Sequence, residues 1–120
     1  MSRDPRKLRV FTLADELVSE VYRITASFPA EERFGLQSQL RRAAVSAATN
    51  IVEACARRST REYLHFLNMA TGSSAEAQYL VDLAQRLHFS TSEACEPVSE
   101  RYRELLRGLQ KLLTSLEGRP

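Results

Sequence analysis

The sequence predicts an all-α protein folded as an antiparallel, up-down-up-down four-helix bundle. Apolar residues recur every three to four positions in four successive segments, which is the spacing of amphipathic helices. Glycine and proline, four of each in 120 residues, fall mostly near the predicted joints. No segment shows the strict alternation of a half-buried strand. Because the predicted connections are short, consecutive helices are expected to pack antiparallel around one core.

The four helices are predicted at about 8–27, 32–57, 60–88 and 92–117, between polar tails at 1–7 and 118–120. Two adjoining apolar stripes give the first helix a wide buried face, and Pro29 then ends it. One stripe is Phe11, Ala14, Val18, Val21, Thr25 and Phe28, and the other is Val10, Leu13, Leu17, Val21 and Ile24.

The second helix has a side of small apolar residues and a polar side. Its small residues, concentrated between Ala43 and Thr49, allow another helix to approach closely. The polar row is Gln39, Arg42, Ser46, Asn50, Glu53 and Arg57. For Gln39, Ser46, Asn50 and Glu53 we expect a structural role, hydrogen bonding to Arg42 or Arg57 within or between bundles. Contact with a ligand or nucleic acid is the other interpretation of this row.

The last two helices carry start signals and two potential interruptions. Ser59 with Glu62, and Ser90 with Glu93, have the spacing of capping boxes. Gly72 lies in the middle of the third helix, where glycine costs about 1 kcal/mol relative to alanine, so a close helix crossing is expected there. Pro97 predicts either a kink in the fourth helix or a restart at that residue.

Positive charge is concentrated in one segment, although the whole chain carries a net charge of only +2. Between residues 41 and 61 the only acidic residue is Glu53. The arginines of this segment indicate either a solvated helix face or an anionic partner, with RNA or DNA the first candidate. The predicted nucleic-acid-binding residues are Arg41, Arg42, Arg57, Arg58 and Arg61.

Several function classes are disfavoured. No apolar run approaches the roughly 18–20 residues that span a bilayer, and the charged N-terminus is unlike a secretory signal, so a cytoplasmic location without membrane contact is expected. Cys55 and Cys95 lack metal-ligand spacing and are expected to be buried or half-buried reduced thiols. Glu62 and His65 form a single E-x-x-H where a di-iron bundle needs two. We therefore expect no cofactor, no metal and no enzymatic activity.

One enzymatic alternative stays open. Arg58 and His65, separated by six residues, fit the loose spacing of ribonucleases of the HEPN type, which are also helical bundles. The arginine would stabilise charge on a phosphate and the histidine would transfer a proton. With 15 arginines in the chain, such a spacing also arises by chance.

Self-association is predicted from apolar residues beyond those that one bundle needs. The first helix has its second stripe, and the third adds Leu64, Leu67 and Val81 outside its main row. Because a core-facing helix needs about a 3/7 apolar face, the surplus indicates an interface between copies. A wider core is the alternative interpretation.

The segment from Phe34 to Ser46, followed by Asn50-Ile51-Val52-Glu53, resembles the signature of the bacterial 23S rRNA intervening-sequence proteins, also called four helix bundle proteins. The likeness extends over roughly residues 8–116, through Arg57-Arg58-Ser59, Glu62-Tyr63 and Gly72-Ser73. The chain departs from the family at Phe11, where tryptophan is usual, at Ala47-Ala48, where proline is common, and at Ala54, where glycine is usual. These departures leave a family-like kink in the second helix in question.

The resemblance implies a homopentameric ring of antiparallel four-helix bundles. A related branch, the accessory variability proteins of diversity-generating retroelements, implies nucleic acid or a reverse transcriptase as a partner. The function expected from residues and resemblance together is a non-enzymatic oligomeric scaffold that contacts RNA or a nucleic-acid enzyme through its arginines.

Overall fold

Four long helices form the structure, a computed structural model that describes residues 3–117. We label them α1 (Arg9–Thr25), α2 (Leu36–Cys55), α3 (Thr60–Arg86) and α4 (Ser92–Glu117). Short 3-10 turns at Pro5–Lys7 and Ala30–Glu32 precede α1 and α2. No strand is present within residues 3–117, which confirms the predicted all-α class. The predicted tail at 118–120 lies outside the described residues.

The helices pack in a square in which consecutive helices are in contact and α4 closes onto α1. Within residues 3–117, the diagonal pairs α1–α3 and α2–α4 have no Cα atoms within 8 Å of each other. The connections are too short to cross the bundle, which is 49 Å long and about 20 Å wide in the other two directions, so consecutive helices run antiparallel. The most extensive contact is between α2 and α3.

Small side chains explain the close contact between α2 and α3. On α2 the residues Ala43, Ala47 and Ala54 are buried, and on α3 Ala70 and Ala77 are fully buried. Side chains of this size let two helix backbones approach closely. Larger apolar residues fill the remainder of the core, the bulkiest fully buried ones being Tyr63, Tyr102, Leu17, Leu40, Ile51, Leu67, Leu105 and Leu109.

Helix ends differ from the predicted bounds where local hydrogen bonds override the apolar pattern. The second helix begins at Leu36 rather than near residue 32, because the Glu32 carboxylate accepts a hydrogen bond from the Leu36 amide at 3.0 Å and Ala30–Glu32 forms a separate turn. The predicted helix start at Ser59 is confirmed, since its hydroxyl accepts from the Glu62 amide at 3.1 Å. The Glu62 carboxylate contacts that hydroxyl instead of the Ser59 amide of a full capping box.

The predicted cap at Ser90 is wrong. Thr91 caps α4 instead, accepting from the Ala94 amide at 3.2 Å. From there α4 runs without interruption through Pro97, so the helix does not restart at that residue. Pro97 lies in the second turn of α4, where it removes one backbone hydrogen bond and its ring crowds the Glu93 carbonyl, yet the helix continues.

The apolar residues taken as surplus lie in the core. Leu67 and Val81 are fully buried, and both stripes of α1 are buried or half-buried against the other helices. The bundle is therefore wide, and these residues do not supply an exposed interface. Large apolar side chains that are exposed stand elsewhere: Tyr22, Phe34, Val45, Val52, Met69, Tyr79 and Leu87.

The close crossing expected at Gly72 is absent within residues 3–117. A Cβ atom added to this glycine would meet nothing within 4 Å, because Gly72 faces solvent. Its neighbour Ser73 makes the contact with α2 instead, with 2.8 Å between the hydroxyl oxygens of Ser46 and Ser73. Helix α3 nevertheless continues unbroken through the glycine.

Candidate nucleic-acid interface

An open cleft of about 610 Å³ lies over the outward face of α2, near the end where α1 connects to it. Tyr22 contributes from α1, Arg33 and Phe34 from the connection, and the remaining lining residues from α2. These are Gln37, Ser38, Arg41, Arg42, Val45, Ser46, Thr49 and Asn50. The cleft thus combines three guanidinium groups with two aromatic rings and has no carboxylate in its lining.

Arg41 is held in one orientation at the α1 side of the cleft. Its Nε atom donates to the Thr25 hydroxyl at 2.8 Å, and that buried hydroxyl in turn donates to the Val21 carbonyl at 2.7 Å. The guanidinium carbon lies 4.3 Å from the centre of the Tyr22 ring. The Gln37 amide lies 2.9 Å from Nη2, and we assign its oxygen to this contact because only that orientation accepts from the guanidinium. Arg41 therefore presents a fixed, planar positive charge.

The opposite wall of the cleft is more open. Phe34 is 88% exposed, which is unusual for a ring of this size, and the Arg33 guanidinium carbon lies 5.6 Å from its centre. Arg42 is exposed on the first turns of α2. Within residues 3–117 none of Arg33, Arg41 and Arg42 pairs with a carboxylate. Their charge is therefore uncompensated in the folded chain.

The structure places four of the five predicted arginines in two separate groups. Arg41 and Arg42 line the cleft, whereas Arg58 and Arg61 are exposed around the turn between α2 and α3. With a rise of about 1.5 Å per residue, Arg41 stands about 21 Å from the end of α2 at Cys55. The arginines thus lie at both ends of one helix rather than in a single patch.

Arg57 belongs to neither exposed group. It pairs with Glu53 at 2.5 Å, one turn earlier on α2, and its guanidinium carbon lies 4.6 Å from the centre of the Phe66 ring. Its Nε atom is buried without a hydrogen-bond partner among residues 3–117. This side chain fastens α2 to α3, and its charge is already compensated.

The polar row of α2 lies mostly along its junction with α3. Gln39 donates to the Glu76 carboxylate at 3.3 Å, and Asn50 donates to the Ser46 carbonyl at 2.9 Å and to its hydroxyl at 3.1 Å. Ser46 also contacts Ser73, and Glu53 holds Arg57. Of the expected partners, only Arg57 is used by the row, since Arg42 points to solvent.

Sequence reasoning missed three cleft residues, Tyr22, Arg33 and Phe34. Tyr22 lies outside both apolar stripes of α1, and a large aromatic residue at a solvent-facing helical position was an available signal. Phe34 and Arg33 fall in the loop between helices, where periodicity carries no information about orientation. Arg33 also lies outside the positively charged segment 41–61, from which the nucleic-acid-binding residues were predicted.

Cys55, Cys95 and His65 are further side chains of chemically reactive types. Cys55 and Cys95 are buried, as expected, and burial raises the pKa of both thiols, which keeps them protonated and unreactive. His65 is exposed and makes an edge-on contact with the Phe66 ring, 5.1 Å between centres.

No group of three potential metal ligands occurs in the part of the chain that the structure describes. Within that same part, no helix is both long and apolar enough to cross a membrane.

These features define a small antiparallel helical bundle with a basic, aromatic cleft on one helix face. The chain belongs to the family described as 23S rRNA-intervening sequence protein, which matches residues 6–111. A solved structure of a protein of unknown function from the S23 ribosomal protein family of Bacteroides thetaiotaomicron has a similar fold, with a TM-score of 0.78. The likeness covers 87% of this chain and 97% of that one at 22% identity. No curated protein is detectably similar in sequence.

Proposed function

We propose that this protein is a non-enzymatic, self-associating bundle that binds single-stranded nucleic acid through the cleft on α2. The observation that carries the proposal is the coincidence of three uncompensated arginines with two exposed aromatic rings. Arginines attract the phosphate backbone, and aromatic rings stack on unpaired bases. A binding site for single strands needs both kinds of group close together.

RNA is the form of nucleic acid that we propose first, because the family's name refers to 23S rRNA. A protein partner such as a reverse transcriptase, implied by the resemblance to the accessory variability proteins, would present carboxylates to the same arginines. The exposed Phe34 favours nucleic acid, since a base offers a flat apolar face that a carboxylate lacks.

The absence of catalysis is part of the proposal. Arg58 and His65, the pair of the ribonuclease alternative, are both exposed. Electrostatic stabilisation of a phosphate transition state is strong when donors are fixed in a site from which water is excluded. Neither side chain makes a hydrogen bond that would fix it within residues 3–117.

We propose that copies of the chain associate through the outward face of α3. Met69 and Tyr79 are 45% and 57% exposed, and Gly72 lies between them on the same side of the helix. A mid-helix glycine costs about 1 kcal/mol relative to alanine. A second copy packed closely against this face would explain both the glycine and the exposed apolar groups. For the number of copies we adopt the homopentameric ring that the family resemblance implies.

Fluorescence anisotropy with labelled U10 RNA tests the binding proposal. Arg42→Ala is expected to weaken binding several-fold and to reduce the slope of log K against log salt by about 0.7. Phe34→Ala is expected to weaken binding tenfold or more, with the salt slope unchanged, because a stacked base is worth about 1–3 kcal/mol. Arg107→Ala is the matched control, since it removes the same charge from α4, diagonally across the bundle. Wild-type protein that fails to bind U10 at low salt would refute the proposal.

Incubation of the protein with U10 tests the absence of catalysis. Intact RNA after prolonged incubation, equal for wild type and His65→Ala, is the expected result. Cleavage by the wild type that the histidine substitution abolishes would instead establish the ribonuclease.

Light scattering tests self-association. We expect a particle of five times the 13.6 kDa chain mass at micromolar concentration. Met69→Lys combined with Tyr79→Lys is expected to reduce that mass, whereas Val52→Lys, at an exposed apolar residue of α2, is expected to leave it unchanged. A wild-type particle of one chain would rule out the assembly.

A further inference from the structure

The outward face of α2 connects the cleft to the turn arginines, and the one carboxylate of this helix, on Glu53, is paired with Arg57. The row Arg42, Val45, Thr49, Val52 and Ala56 is exposed throughout and follows the spacing of one helix face. We call these five residues the α2 strip. The Glu53 carboxylate lies beside the strip, and its distance from the Arg57 guanidinium is 2.5 Å.

The far end of the α2 strip carries charge of the same sign as the cleft. Arg58 and Arg61 are exposed directly beyond Ala56, and neither pairs with a carboxylate within residues 3–117. Glu62, the nearest acidic residue in sequence, contacts the Ser59 hydroxyl. Uncompensated arginines therefore stand at both ends of a surface made of small, apolar and hydroxyl side chains.

We infer that a single RNA strand held in the cleft continues along the α2 strip to Arg58 and Arg61, which form a second set of phosphate contacts. This inference rests on the proposed function and adds the path and length of the bound strand. The strip spans about 21 Å from Arg42 to Ala56 at about 1.5 Å per residue. A stacked strand advances about 3.4 Å per nucleotide, so the strip holds about six nucleotides.

Val45 and Val52 suit this path because their side chains are 40% and 43% exposed and leave the surface between the arginines apolar. Apolar groups contact the faces of unpaired bases, whereas a carboxylate at the same position would repel the backbone. Thr49, between the two valines, offers a hydroxyl for a phosphate or ribose oxygen. Binding of a strand along the α2 strip therefore does not depend on a particular base sequence.

Oligonucleotide length separates this inference from the proposed function. A labelled U3 probe reaches only the cleft, and a U10 probe covers the whole strip. The double variant Arg58→Ala/Arg61→Ala is expected to weaken U10 binding about tenfold, since each exposed ion pair is worth a few-fold, and to leave U3 binding unchanged. Its salt slope for U10 is expected to fall by about 1.4.

Val52→Glu provides an independent variant, because it alters the middle of the strip without touching either arginine group. It is expected to weaken U10 binding and spare U3. Arg107→Ala is again the control. If both variants bind U10 as the wild type does while Arg42→Ala weakens it, the path along α2 is wrong and the cleft stands. If the wild type binds neither probe, the cleft and the path fail together.

Discussion

The Arg41 guanidinium lies over the ring of Tyr22, 4.3 Å from its centre, and so joins α2 to α1 at the mouth of the cleft. Three further contacts, to Thr25, to Gln37 and to the Tyr22 carbonyl, fix its remaining donors. Arg41 is therefore a structural residue as well as a charge, whereas Arg42 makes no side-chain hydrogen bond within residues 3–117.

Arg41→Lys is expected to lower the free energy of unfolding by about 1 kcal/mol, because lysine keeps the charge but loses the planar stack and the bond to the buried Thr25 hydroxyl. Arg42→Lys is expected to change it by less than about 0.5 kcal/mol. Urea denaturation of both variants measures the difference. Equal stability of the two would show that the Arg41 contacts contribute nothing to folding.

Gly108 and Val10 lie against each other where α4 crosses α1. A Cβ atom on Gly108 would come within 2.9 Å of the Val10 Cγ1 atom, which belongs to a short and stiff side chain. Gly108→Ala is therefore expected to destabilise the protein, even though alanine at an open helix position would gain about 1 kcal/mol.

The double variant Val10→Ala/Gly108→Ala provides the decisive comparison. In the Val10→Ala background the obstruction is gone, so adding Gly108→Ala is expected to stabilise the protein. Thermal or urea unfolding of the four proteins of this cycle measures the sign in each background. A stabilising effect in both backgrounds would mean that the helices separate at no cost.

The four-helix architecture follows from the sequence because burial of an apolar stripe is a local, periodic requirement. Ala14, Thr25 and Phe28, in the first stripe of α1, are predicted to be inside and are buried. The pattern states that a residue is buried but does not state against what. Leu67 and Val81 were accordingly assigned to an interface, whereas they fill a wider core.

The sequence predicts only some of the residues that line the cleft. Arg41 and Arg42 stand out as a charge run, but the distance that separates them from Arg58 and Arg61 depends on helix rise and on where α2 ends. The orientation of Phe34 and Arg33 is set by the loop, in which the Glu32 carboxylate caps α2. Such side-chain capping is one of several alternatives that a loop sequence permits, so the pattern alone did not select it.

Arg101 on α4 bridges two carboxylates of α1, Glu16 and Glu20, which lie one turn apart. Its side chain is only 32% exposed and that of Glu20 16%, so the contacts are partly shielded from solvent. Arg101→Ala is expected to lower the free energy of unfolding by about 1 kcal/mol, with a smaller loss at high salt.

Arg103→Ala serves as the control for Arg101, because Arg103 pairs with Glu100 in an exposed i,i+3 contact on a single helix. Its expected cost is below about 0.5 kcal/mol. Guanidinium chloride would screen the effect under study, so urea is the denaturant of choice. A loss at Arg103 as large as that at Arg101 would contradict the view that burial strengthens the α1–α4 bridge.

Tyr102 places a phenol inside the core, with its hydroxyl buried and without a hydrogen-bond partner within residues 3–117. An unsatisfied buried polar group is costly, so Tyr102→Phe is expected to stabilise the protein by about 1 kcal/mol at neutral pH. Urea denaturation at pH 7 measures this change. A destabilisation of similar size would show that the hydroxyl is satisfied after all.

Stability is expected to fall at alkaline pH, because burial raises the pKa of Tyr102, Tyr63, Cys55 and Cys95. A raised pKa means that the folded state keeps its proton when the unfolded state has lost it. The stabilisation is thus complete below the ordinary values of 9.0 for thiols and 10.0 for phenols and is lost as the pH rises above them. Each such group contributes a loss of at most about 1.4 kcal/mol per pH unit, and only while the pH lies between its unfolded-state and folded-state pKa values.

Tyr102→Phe isolates one of these four groups. Above pH 10 the free energy of unfolding of this variant is expected to fall less steeply than that of the wild type, by about 1.4 kcal/mol per pH unit, because one ionisation of the unfolded chain is removed. Urea titrations at intervals from pH 8 to about pH 11 measure both curves. Identical slopes for the two proteins would mean that the Tyr102 phenol ionises in the folded core as readily as in water.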